Sequence, residues 1–123
     1  MKYTRIESPT VRAACDDLLS YFCGRSDFEV NPLTSGPKKS VHFAWQGKDI
    51  YAFIANKNWL LWYFRKPGVT VGAFTFGAVQ GAFPTAGFTN RKDPNVKEIT
   101  LKIGSPAEAR TIMEFVQNHP GQR

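Results

Sequence analysis

With 123 residues, 42% of them apolar and 21% charged, the chain has the make-up of one ordinary folded domain, which excludes wholesale disorder. Its formal net charge is +6, and the surplus is local: residues 38–102 carry ten basic groups against Asp49, Asp93 and Glu98, while the flanking segments are close to neutral. Such an excess suits phosphate-bearing or acidic partners, and it also serves as solvated surface. No stretch approaches the ~20 apolar residues of a bilayer-crossing helix, and the first seven residues lack the apolar run of a secretion signal. The expected setting is cytoplasmic, with no membrane partner.

Ser8-Pro9 opens a helix, serine being a favoured N-cap and proline suiting the first helical position. Val11, Cys15, Leu18, Leu19 and Phe22 follow at helical spacing, and Cys23-Gly24 supplies the stop. On that helix Cys15 and Cys23 stand roughly 12 Å apart at ~1.5 Å per residue, too far for a disulfide. Both read as reduced thiols, Cys15 on the apolar face, and two cysteines without a ligand cluster make no zinc site.

Residues 24–40 read as a connection broken by Asn31-Pro32 and Ser35-Gly36-Pro37, with a short strand possible at Phe28 and Val30. Three strands follow, over 41–46, 50–55 and 59–64, turning at Gly47-Lys48 and at Asn56-Lys57-Asn58. In the first, Val41, Phe43 and Trp45 alternate with His42, Ala44 and Gln46. The run Trp59-Leu60-Leu61-Trp62-Tyr63-Phe64 is apolar on both sides, which predicts an interior strand with each face covered. Arg65-Lys66-Pro67-Gly68 ends the meander. Residues 69–88, with Gly72, Gly77, Gly81 and Gly87, read as a glycine-rich loop with at most a short helix, or a strand over 69–76. Residues 90–95 form a charged turn. Residues 96–103 alternate Ile99, Leu101 and Ile103 with Glu98, Thr100 and Lys102 as a half-buried strand, and Ser105-Pro106-Ala107-Glu108 then caps a final helix.

The sum is an α+β fold within a single domain, 1–123, whose regular core is about 8–118. An antiparallel sheet, built on a three-stranded meander plus a later strand, packs with an N-terminal and a C-terminal helix. In this element order, in Gln46-Gly47-Lys48-Asp49-Ile50 between two strands and in the closing strand–helix unit, the chain resembles the MmcQ/YjbR family of small domains. The resemblance implies a CyaY-like fold and an association with proposed DNA binding; it carries no site residue with it.

Catalytic chemistry finds little purchase. Only His42 and His119 offer an imidazole base; His42 faces Asp49 across the hairpin, and with Tyr51 they form the one group that a ligand pocket or unfamiliar enzyme would use. Asp49, Asp93 and Glu98 are a thin supply of carboxylates for a metal-dependent nuclease, and Glu98-Ile99-Thr100 has threonine where an acidic-x-lysine motif needs lysine. Thr34-Ser35-Gly36-Pro37-Lys38-Lys39-Ser40 lacks the glycine spacing of a phosphate loop. No catalytic residue, metal ligand or cofactor is assigned.

What remains is a basic, aromatic constellation. Lys48 and Arg65-Lys66 are expected on one rim of the sheet, Lys38-Lys39 and Lys57 on the other, with Arg91-Lys92 at a further element end. Trp45, Trp59, Trp62 and Tyr63 lie between the rims. Cations neutralise phosphates and aromatic faces stack unpaired bases, so a noncatalytic nucleic-acid-binding domain is the leading expectation. A protein-interaction module is the alternative, resting on Phe74, Phe76, Phe83 and Phe88. Oligomeric state is not legible.

Overall fold

A computed structural model describes residues 6–33, 40–89 and 97–120. In chain order its elements are α1 (Pro9–Cys23), β1 (Phe28–Leu33), β2 (Ser40–Trp45), β3 (Lys48–Ala55), β4 (Leu60–Phe64), α2 (Lys66–Thr70), α3 (Phe76–Ala82), β5 (Gly87–Phe88), β6 (Ile99–Ile103) and α4 (Pro106–Asn118). The six strands form one antiparallel sheet in the order β1-β2-β3-β4-β6-β5, so the class is α+β as expected. Pro32 falls on the edge strand β1, where a missing N–H interrupts no central ladder.

Local chemistry sets the boundaries. The Ser8 and Ser105 hydroxyls accept the N–H groups of Val11 and Glu108, and the Glu108 carboxylate reaches back to the Gly104 N–H at 2.9 Å. Gln46 and Gly47, both at positive φ (52° and 79°), make the two-residue turn that joins Trp45 to Lys48. Positive φ at both central residues matches the right-handed twist of the flanking strands.

One face of the sheet carries the core. Val41 and Phe43 from β2, Tyr51, Phe53 and Ala55 from β3, and Leu60, Trp62 and Phe64 from β4 are all sealed from solvent. The helices send their rings to this face. Phe22 of α1 stacks on Phe43 at 4.1 Å, and Phe115 of α4 meets Phe64 edge-on at 5.4 Å. Phe74, between α2 and α3, stacks on Tyr51 at 5.3 Å. Cys15 lies in the same core, where burial pushes its thiol up to about 12, while Cys23 is exposed; both are free.

Two expectations change. β4 is interior, between β3 and β6, but the described helices send their rings to one of its faces only; on the other, Leu61 and Tyr63 are half-buried, as is Ile54 beside them. Residues 69–88 hold the end of α2, the short helix α3 and an edge strand, with no strand over 69–76. The Thr75 hydroxyl, accepting the Ala78 N–H at 3.0 Å, starts α3 despite its two glycines. The charged turn at 90–95 lies outside the described residues. No helix among the described residues is long and apolar enough to cross a membrane.

Candidate functional site

The sheet's uncovered face is ordered into rows by strand register. Asn31, His42, Ala52, Tyr63, Thr100 and Gly87 are successive cross-strand partners through all six strands. The next row toward the β3–β4 turn runs Ser40, Ile54, Leu61, Lys102. Beyond it stands Trp59, on the same side as Leu61 and Tyr63 by strand alternation. Trp59 is 37% exposed, which makes it one of two large apolar side chains open to solvent among the described residues. Lys102 Nζ lies 4.9 Å from its ring centroid, a cation–π contact.

At the opposite end, beside the β2–β3 hairpin, the face is a charge network. Arg65 Nε donates to Glu98 Oε2 at 3.2 Å, and the backbone N–H of Lys66 donates to the same oxygen at 3.1 Å. An Arg65 terminal nitrogen stands 3.9 Å from Asp49 Oδ2 and 3.4 Å from His42 Nδ1. A cavity of about 170 Å³ opens next to this network, lined by Ser40, His42, Ala52, Ile54, Tyr63, Arg65 and Glu98. Burial and the neighbouring Arg65 charge hold His42 below its ordinary pKa, against an upward pull from Asp49. The ring is therefore neutral at pH 7.

His42 Nε2 is 3.3 Å from Ser40 Oγ and Nδ1 is 3.4 Å from Asp49 Oδ2, the order of a nucleophile, base and acid. The same Nδ1 also faces Arg65: a guanidinium only donates and the Asp49 carboxylate only accepts, so no single tautomer satisfies both, and Arg65 competes for the nitrogen that a triad would need protonated toward Asp49.

Of the residues singled out from sequence, Lys48, Arg65 and Lys66 lie at the hairpin end and Lys57 at the other. Lys57 pairs with Glu7 at 3.5 Å, both well exposed, a contact of small energetic weight. Lys66 reaches toward the Phe76 ring at 5.8 Å. Tyr63 lies on the uncovered face and Trp45 is half-buried against the core. Trp62 is corrected. It points inward from β4, is fully buried among Phe22, Phe43, Phe53 and Phe64, and offers no face to a ligand. Tyr51 is likewise separated from His42 and Asp49: its ring belongs to the core face, and its hydroxyl donates to the His119 carbonyl. Lys38, Lys39, Arg91 and Lys92 lie outside the described residues. No group of three or more His, Cys, Asp or Glu among the described residues could hold a metal ion.

No family model matches the chain, nor does any curated protein or solved structure. Sequence reasoning overlooked Ser40, Glu98 and Lys102 as members of the face. The signal was present in the alternation, since Ser40 shares the parity of His42, and Glu98 and Lys102 that of Thr100. It lacked only the knowledge of which parity stays uncovered.

Proposed function

We propose that the chain binds single-stranded nucleic acid across the uncovered face of its sheet. The observation that carries this reading is Trp59, exposed on that face just before β4 and flanked by Lys102, with Leu61 and Tyr63 following on the strand. An aromatic ring beside a cation provides both halves of single-strand binding, a stacking surface for a base and a charge for its phosphate. The surplus of positive charge in 38–102 and the resemblance to MmcQ/YjbR domains point the same way. The chemistry is noncatalytic.

The test is fluorescence anisotropy of a labelled single-stranded oligonucleotide at low and rising salt. Binding that weakens steeply with salt, and falls about tenfold in Trp59→Ala, is expected from the loss of one stacking platform. Absence of binding at low salt to both DNA and RNA strands would end this reading.

A second reading, a protein-interaction surface, is favoured by Phe88. It is 45% exposed on the edge strand β5, with the half-buried Phe76 ring against it at 5.6 Å. Phe74 and Phe83 are buried and take no part. Self-association or partner capture abolished by Phe88→Ser, with no oligonucleotide binding, would favour this reading over the first.

A further inference from the structure

We propose that the cavity between His42 and Tyr63 accepts one unpaired guanine, which deepens the single-strand reading and rests on it. The two side chains flank Ala52 in strict register, His42 from β2 and Tyr63 from β4. Their backbones are thus two strand spacings apart, about 9.5 Å. Alanine is short, so the space between the two rings is a slot with a low floor. Its volume, about 170 Å³, has room for a heterocycle without its sugar.

The two ends of the slot differ. Toward the β3–β4 turn the lining is Ile54 and Ser40, and toward the hairpin it is Glu98 and Arg65. At that end the Arg65 charge is taken up by Glu98 and Asp49, so the backbone of a bound strand runs toward Lys102 and Trp59 while a base points inward. A carboxylate beside a guanidinium fits an edge that has two adjacent N–H donors next to an acceptor oxygen. Guanine presents this edge, with N1–H and the exocyclic amine facing Glu98 and O6 facing Arg65. Adenine and cytosine each pair one donor with an acceptor, and thymine sets one donor between two acceptors, so each gives Glu98 a single hydrogen bond where guanine gives two. Bases in single strands are read in this way, on their Watson–Crick edges and by stacking.

The experiment compares a short all-thymidine strand with the same strand carrying one central guanine, by anisotropy at fixed salt. The guanine strand is expected to bind about tenfold tighter, within the range of a good two-point base contact. Ala52→Leu, which fills the floor, and Tyr63→Ala, which removes a wall, should each bring the two strands to equal affinity. Glu98→Gln should shrink the preference, because a neutral amide accepts more weakly than the carboxylate. Thermal melts identify a variant that has failed to fold, and the remaining variants then decide. Equal affinity of the two strands for the wild-type protein, or a preference that survives in folded Ala52→Leu and Tyr63→Ala, overturns the guanine slot and leaves the binding surface standing. No binding of either strand overturns the surface itself.

Discussion

His42 shows how a single residue links the outer face to stability. It faces Ser40, Arg65 and Asp49, with Glu98 close by, and desolvation together with Arg65 outweighs the carboxylates in setting its pKa below 6.5. In the unfolded chain the ring takes a proton near pH 6.5, while the folded ring resists until lower pH, so the unfolded state binds more protons in between. Stability from this residue is complete above that window and is lost as pH falls through it. Urea midpoints should hold steady from about pH 8 to 7 and drop below about 6.5, and His42→Gln should flatten the decline. Asp27, held below its ordinary pKa by Arg25, acts in a more acid range and does not blur the result. The His42–Asp49 approach was legible from the hairpin, since Asp49 stands opposite Ala44 and His42 is two residues along that strand. The role of Arg65 was not, because it arrives from beyond the end of a third strand.

At the scale of elements, what could be read and what could not divide along local and tertiary causes. α1 and α4 were legible because their caps are written in neighbouring residues, Ser8-Pro9 and Ser105 to Glu108. The strands were legible from alternation. α2 and α3 were not, because glycine-rich composition argues against helices that packing nonetheless holds in place. Gly68 is the clearest case. A Cβ at this position would come within 2.2 Å of the Phe74 ring, and that ring is itself stacked on Tyr51 in the core. The glycine answers the close approach of an aromatic side chain, a need that local propensity does not reveal. Gly68→Ala should therefore destabilise by about 2 kcal/mol, in the range for overpacked cores, read as a lowered denaturation midpoint. Gly81→Ala, where a Cβ meets nothing, should be neutral or mildly stabilising.

For the whole molecule the governing fact is asymmetry between the sheet's two faces. The rings of the described helices serve one of them, so the other is left with Trp59, Tyr63 and the charge network around Arg65. Sequence alone could count the positive charges but could not say which were already committed. Arg25 is bound to Asp27 and Arg65 to Glu98. Net charge is therefore a poor guide to where a polyanion would lie, and position can be separated from charge by experiment. Lys102→Gln and Arg110→Gln each remove one positive charge, the first from the uncovered face and the second from an exposed site on α4. If the outer face binds a single strand, Lys102→Gln should weaken binding and lower the slope of log K against log salt by about 0.7, the value for one phosphate contact. Arg110→Gln should leave that slope unchanged. Equal losses from the two would mean attraction by the molecule's overall field, and the uncovered face would then hold no privileged position in binding.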